Sequence, residues 1–351
     1  MTRTAVSFKN VDIIFGDNKT EALRLLDAGA TRQEINEKTG AVLGVAGASL
    51  DVAEGEIFVL MGLSGSGKST LLRAVNRLNE TARGEVIVST DGAPIDVASC
   101  SDVQLRQLRM HQVAMVFQQF ALLPWRTVEE NVGLGLELAG VPEAERKARV
   151  AEQLKLVSLD QWADRYAHEL SGGMQQRVGL ARAFTTQAPI LLMDEPFSAL
   201  DPLIRTHLQD ELLNLQSELK RTIIFVSHDL DEAMKIGNRI AIMQDGRIVQ
   251  AGTPQEIVLK PANEYVEQFV QHMNPLNVMT GATIMRKLEK SEQAATAKAA
   301  SAMMPPDATM RDIIAECWRT GKNVIIGADG KAVGEVGETE IYSALINRPT
   351  R

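Results

Sequence analysis

An apolar strand, Glu56–Met61, runs directly into Gly62-Leu63-Ser64-Gly65-Ser66-Gly67-Lys68-Ser69, and a helix rich in Leu71, Leu72 and Val75 opens at Ser69. Few folds accommodate that order. Glycines at 62, 65 and 67 let the backbone curl into a concave loop with its N–H groups turned inward. The helix that follows adds its positive N-terminal end. Lys68 supplies a full charge for the outer phosphates of a nucleotide, and Ser69 a hydroxyl for Mg2+. Ser64, Ser66 and Thr70 complete the candidate cradle.

A second apolar strand, Ile190–Met193, ends in Asp194-Glu195. A strand buried on both faces cannot carry charge at its centre but can present it at its carboxyl end, where open α/β sheets bind ligands. Asp194 suits the coordination shell of Mg2+. Glu195 suits a general base that polarises an attacking water. A surface acid pair before Pro196 is the alternative, and the phosphate loop weighs against it.

About twenty residues upstream lies Leu170-Ser171-Gly172-Gly173-Met174-Gln175-Gln176-Arg177. Ser171 can cap the helix that follows, and two glycines expose the amides at its positive end. That makes a second anion site in one chain. Two copies arranged head to tail can each offer a phosphate loop to one nucleotide and the Ser-Gly-Gly helix end to the other. A well-capped helix with nothing bound is the competing reading.

The bulk properties set limits. The chain has 351 residues, 45% apolar and 23% charged, with a net charge of −8, which weighs against a globally basic nucleic-acid face and leaves a local basic patch open. Cys100 and Cys317 stand in no CxxC pair and read as ordinary thiols, and the histidines show no metal spacing. The N-terminus has no signal pattern, and no apolar run approaches the ~18 residues of a membrane span. Any membrane role must come through a partner or the surface.

Apolar strands alternate with helices, which predicts a parallel α/β core. A strand at Val6–Phe15 and another at Ala41–Val52 flank a helical pair, with Thr31 as N-cap and Glu34 completing a capping box. Strands are expected at Glu85–Val88, Gln112–Phe117 and Thr222–Val226, with a hairpin around Asp245-Gly246. Helices are expected over 128–139, 143–156, 159–166, 171–186, 203–219 and 264–272. The Ala/Lys/Gln/Ser-rich stretch from Lys290 to Ala302 reads as a linker, followed by a helix–strand–strand–helix piece.

Residues 6–255 resemble ABC ATPase domains, with motifs in the family's order: phosphate loop, Gln118, Leu-Ser-Gly-Gly at 170–173, the acid strand, Ser198-Ala-Leu-Asp201 and His228. The resemblance implies a RecA-like P-loop ATPase core with antiparallel β and α-helical subdomains. It implies a homodimer closing on two ATPs, each with Mg2+. By resemblance Gln118 contacts the metal and the attacking water, with Gln119 a rival. Asp201 belongs to a loop that communicates across the dimer, His228 contacts the γ-phosphate, and Phe15 stacks on adenine. Phe15 as a plain core strand residue is the alternative. Met174 departs from the usual Gln of the signature, which leaves the backbone amides and helix dipole untouched but puts any side-chain contact from that position in doubt.

Phe120-Ala-Leu-Leu-Pro-Trp-Arg-Thr-Val-Glu-Glu-Asn131 resembles bacterial importer ATPases, where this stretch receives a helix of an integral membrane permease. Leu122, Leu123 and Trp125 are candidate contacts. The helical pair at 22–40 resembles an insertion in ATPases for glycine betaine, proline and choline. The C-terminal piece looks like one CBS-type half where osmoregulated betaine ATPases carry two, which favours choline. The expected organisation is an ATPase domain at 1–275, with a helical subdomain at about 119–175, a linker at 276–304 and a partial CBS-like domain at 305–351. A substrate-binding protein is an indirect partner, nucleic acid is not one, and the expected location is peripheral, on the cytoplasmic face of the inner membrane. The rival function is a soluble ABC ATPase acting on nucleic acid or ribosomes.

Overall fold

The computed structural model describes residues 3–90, 93–271, 276, 278–289, 303–328 and 331–346. Two compact units emerge, one of residues 1–228 with 241–249 and the other of 229–240 with 250–351.

The first unit carries two sheets. One is four-stranded and antiparallel, in the order β2 (Val42–Ala53), β1 (Thr4–Phe15), β4 (Arg83–Val88), β5 (Ile95–Asp96). The other is six-stranded, in the order β10 (Arg247–Gly252), β9 (Arg239–Gln244), β3 (Ile57–Met61), β8 (Thr222–Val226), β7 (Ile190–Asp194), β6 (Val113–Val116). Its centre, β3-β8-β7-β6, is parallel. Strands β3, β7 and β8 are buried at every position, as their unbroken apolar runs require. One core joins the sheets, with Phe8, Ile13, Phe58, Leu60, Leu192 and Ile224 packed around Leu71 and Leu72 of α3 (Lys68–Leu72). Each such side chain contributes about 1.5–3 kcal/mol by leaving water.

The pair α1 (Lys19–Asp27) and α2 (Arg32–Thr39) has its own apolar cluster, in which Ala22, Leu26 and Ile35 meet Ile14 and Leu43. The capping box forms as the sequence predicts: Thr31 Oγ1 accepts from the Glu34 amide, and Glu34 Oε2 accepts from the Thr31 amide at 2.7 Å. Buried Asp12 accepts from Arg83 Nε at 2.6 Å, and the same guanidinium grips Asp27 at 2.8 and 2.9 Å, tying the end of α1 to the sheet. A further group of helices comprises α4 (Asp102–Gln107), α5 (Val128–Leu138), α6 (Glu143–Leu156) and α7 (Gly172–Thr185), with α8 (Pro202–Leu219) leading into β8.

Two expectations need correction. The helix expected over 159–166 is only a single tight turn at Asp160–Trp162, because the Ala163 and Arg165 carbonyls accept from the Glu129 and Val128 amides at the start of α5. The helix opening at the phosphate loop closes at Leu72 instead of running through Val75, since the Arg73 carbonyl accepts from the Leu78 and Asn79 amides. Helix α4 and a π-helical turn at Leu108–Gln112 were not anticipated.

The second unit holds α9 (Leu230–Ile236), α10 (Pro254–Leu259), α11 (Glu264–Val270), α12 (Gly281–Ile284), α13 (Met310–Thr320) and α14 (Glu338–Ile346). Its sheet runs β11 (Arg286–Lys287), β14 (Lys331–Val336), β13 (Val324–Ala328), β12 (Met303–Met304). The expected helix–strand–strand–helix order is present as α13-β13-β14-α14, with Thr309 capping α13 and Gly321 closing it in the left-handed region. His272 and the centre of the expected linker, 290–302, lie outside the described residues.

Candidate nucleotide site

The phosphate loop takes the shape its glycines allow. Gly62, Gly65 and Gly67 have φ of 145°, 78° and 101°. A Cβ at Gly62 would stand 2.2 Å from the Met243 carbonyl oxygen, and one at Gly67 2.5 Å from that of Gly44. Only glycine fits either place. Among the described residues, no backbone carbonyl accepts from the amides of Ser64, Gly65, Gly67, Lys68 or Ser69. These five donors, interrupted only by the Ser66 amide, which donates to the Leu63 carbonyl at 3.2 Å, form a cradle for an anion at the head of a helix.

Lys68 is buried, and its Nζ donates to the Gly62 and Leu63 carbonyls at 2.8 and 2.9 Å. Burial holds its pKa below the ordinary lysine value, with the Glu195 and Asp194 carboxylates pulling the other way. Asp194 is fully buried at the end of β7. Ser69 Oγ donates to its Oδ1 at 2.6 Å, and Arg73 donates to its Oδ2 from Nε at 3.1 Å and Nη2 at 2.8 Å. Pairing on both oxygens is what lets a carboxylate stand fully buried.

Glu195 has φ of 47°, a left-handed conformation that costs a non-glycine residue energy. Three bonds hold it there. Its amide donates to the Val226 carbonyl at 3.1 Å, and its carbonyl accepts from Gln176 Nε2 at 3.1 Å and Ser198 Oγ at 3.0 Å. The result is a carboxylate whose Oε2 accepts from Gln118 Nε2 at 3.0 Å and lies 3.2 Å from His228 Nδ1.

Phe15, Gly44, Ser64, Gly65, Gly67, Lys68, Ser69, Thr70, Gln118 and Glu195 line one cavity of about 260 Å3. Phe15 is 41% exposed, so it is a cavity wall and not a core residue. Gly44 leaves it room, because a Cβ there would stand 2.9 Å from the ring. The oxygen donors of Ser69 and Gln118 on the wall fit Mg2+, which keeps several waters and leans on one or two protein ligands plus phosphate, while Asp194, also expected as a ligand, lies behind Ser69 outside the lining with both oxygens bonded. Ser66 is buried behind the loop and is not part of the wall.

The second expected anion site lies elsewhere. Ser171, Gly172, Gly173 and Asp201 do not line this cavity. Ser171 caps α7 by accepting from the Met174 amide at 3.4 Å, and Asp201 caps α8 by accepting from the Ile204 amide at 3.1 Å. Gly173 sits against the loop before α8, where a Cβ would stand 3.3 Å from the Ala199 carbonyl oxygen. Arg177, partly buried, donates to the Val157 carbonyl at 2.9 Å, and desolvation lowers its pKa against the pull of Asp201.

Sequence reasoning passed over Arg73, Gln176 and Gly44. Arg73 stands one helical turn after Ser69, a spacing that could have suggested a shared partner. Gln176 links two loops, with its Oε1 accepting from the Ala199 amide at 3.0 Å while its Nε2 holds the Glu195 carbonyl. No local pattern announces that link or the packing of Gly44 on Phe15.

A family profile described as ABC transporter matches residues 45–198. Over 282 residues the chain is 52% identical to the glycine betaine/proline betaine transport system ATP-binding protein ProV of Escherichia coli K12, covering 80% of this chain and 70% of that one. It is 38% identical to the trimethylamine N-oxide transport system ATP-binding protein TmoW of Pelagibacter ubique, over 99% of both chains. Among solved structures, the bacterial ABC transporter cassette MJ0796 superposes with a TM-score of 0.61 at 31% identity, over 71% of this chain and 98% of that one. MJ0796 has been solved as a dimer, including a post-hydrolysis state bound to ADP and Pi.

Proposed function

The chain belongs to the ATP-binding cassette transporter family, and from that membership we propose that it is the ATPase subunit of an importer for a small methylated amine. The observation that carries this is the single cavity walled by Phe15, Lys68, Ser69, Gln118 and Glu195.

Phe15 offers its exposed ring to the base. The free amides of the loop and Lys68 hold the phosphates. Ser69, Gln118 and Asp194 would hold Mg2+, which when bound spreads negative charge from the outer phosphates. Glu195 takes a proton from the attacking water, with Gln118 and His228 fixing the carboxylate that must receive it. Arg73 orients Asp194 by donating to its Oδ2. Ser171, Gly172, Gly173 and Asp201 face a nucleotide held by a second copy, because they lie outside their own chain's cavity. That MJ0796 has been solved as a dimer supports the pairing of two copies.

Coupling to a permease runs through the segment after Gln118. Trp125 is 70% exposed, while Leu122 and Leu123 are half-buried. The loop is stiff beneath them, because fully buried Asn131 bonds the amide and carbonyl of Leu123 and the carbonyls of Arg126 and Thr127. A rigid apolar knob suits a helix of a membrane partner. Among the described residues no helix is long and apolar enough to cross a membrane. The location proposed for the chain is peripheral, on the cytoplasmic face, docked on that partner. We assign the segment α13-β13-β14-α14 to a CBS-like half within 305–351 and the ATPase domain to 1–275; the stretch between them is more than a linker, because its β11 and β12 pair with β14 and β13 in the sheet of that half.

The end-to-end likeness to a trimethylamine N-oxide ATPase favours the amine oxide. Uptake of radiolabelled choline, glycine betaine and trimethylamine N-oxide in cells with and without this chain separates them. Loss of one methylated amine is expected, together with co-purification of an integral membrane protein. Unchanged uptake of all three, with nuclease-sensitive association instead, would refute the importer reading.

A further inference from the structure

Arg32 is the first residue of α2, inside the helical insertion. Its Nη1 donates to the Gly65 carbonyl of the phosphate loop at 2.7 Å, and its side chain lines the same cavity as Lys68 and Glu195. The element that delivers it is firmly built. The Thr31–Glu34 capping box fixes the first turn of α2, and Ile35 is fully buried in the cluster of the helical pair. Arg32 itself is half-buried, and among the described residues it forms no ion pair with a carboxylate.

The charge balance of the cavity gives this position meaning. Among the described residues, its cationic wall residues are Lys68 and Arg32. Lys68 already lies under the influence of two carboxylates, Glu195 and Asp194. A triphosphate brings more negative charge than this one compensated lysine can answer. Arginine's planar fork matches phosphate oxygens, and its single present acceptor leaves most of its donors free. There is room to turn, because Arg32 also borders a groove of about 900 Å3 lined by Gln33, Asn36, Gln244 and Arg247.

We propose that Arg32 is a second cationic ligand for the phosphates of the nucleotide, supplied by the insertion of the same chain. This rests on the cavity being the nucleotide site. The insertion is then part of the ATP site and not only an appendage on its sheet. The competing role is a plain staple, in which Arg32 does nothing but hold the Gly65 carbonyl.

Calorimetric titration of MgATP into the purified full chain decides between them, using Arg32→Gln, Arg32→Lys and, as control, Lys68→Ala. Glutamine keeps a donor for Gly65 but removes the charge. The expected result is about a tenfold weaker ATP affinity for Arg32→Gln, as for loss of one charge-assisted bond. Its affinity should also depend less steeply on salt, its ligand-free melting temperature should match the parent's, and Arg32→Lys should recover most of the loss. The proposal falls if Arg32→Gln binds within about twofold of the parent while Lys68→Ala does not. It also falls if affinity and melting temperature drop together and lysine restores neither, which is the staple's signature. If Lys68→Ala binds ATP like the parent, the nucleotide-site reading itself has failed.

Discussion

The phosphate loop and the Ser171 helix end are both glycine-rich turns opening a helix, yet they are built for different conditions. The loop is enclosed. Its lysine is buried, two of its glycines exclude any Cβ, and its hydroxyl Ser69 is locked to Asp194 at 2.6 Å. The Ser171 end is exposed, and among the described residues its hydroxyl is bonded only within its own helix cap. One lines a cavity of its own chain. The other is a helix end outside that cavity, and in the proposed pairing a second copy brings the anion to it.

The difference can be attacked from its strongest side first. Glu195→Gln removes the proton acceptor while keeping its shape, so turnover should fall about 100- to 10,000-fold with ATP affinity nearly unchanged, as read by phosphate release and equilibrium binding. Turnover within about threefold of the parent would strip Glu195 of its role.

Lys68→Ala should weaken ATP binding about 10- to 100-fold, the scale of a charge-assisted contact in an enclosed site. The same lysine gives a pH test. Its pKa in the empty protein is lowered by burial. In the window between that value and the ordinary lysine value, the folded chain holds fewer protons than the unfolded one, so ligand-free stability rises with pH there. Bound phosphate favours the charged form. ATP affinity should therefore fall as pH rises above the empty-state pKa, and Lys68→Ala should flatten that slope. An equal slope in both proteins would place the titrating group elsewhere.

Ser171→Ala is the mildest change and bears directly on the comparison. It removes an N-cap worth about 1 kcal/mol locally. ATP binding by the single chain should stay at the parent level, because Ser171 lies outside that cavity, while turnover should drop roughly tenfold. If single-chain affinity fell with turnover, the two anion sites would belong to one copy and the head-to-tail arrangement would be wrong.

The contrast also explains what could be read in advance. Strand β7 was legible because a fully buried strand is an unbroken apolar run, and its acids could stand only at the end. The phosphate loop was legible because its glycines are needed by its own backbone. The Thr31–Glu34 box was legible because both partners lie within one turn. The 159–166 helix was misread because its carbonyls are claimed by α5, thirty-odd residues upstream, and no local pattern shows that competition.

Sequence by itself determined the elements whose reasons are local: the buried strands β3, β7 and β8, the glycine cradle, and the caps at Thr31 and Ser171. Only the tertiary structure decided which acids meet which bases. It set Arg73 and Ser69 on Asp194, Gln118 and His228 on Glu195, and Arg32 on the loop. Those partners lie tens to more than a hundred residues apart, so their pairing depends on how the sheet stacks its strands and on where the insertion packs, and not on the spacing of any motif.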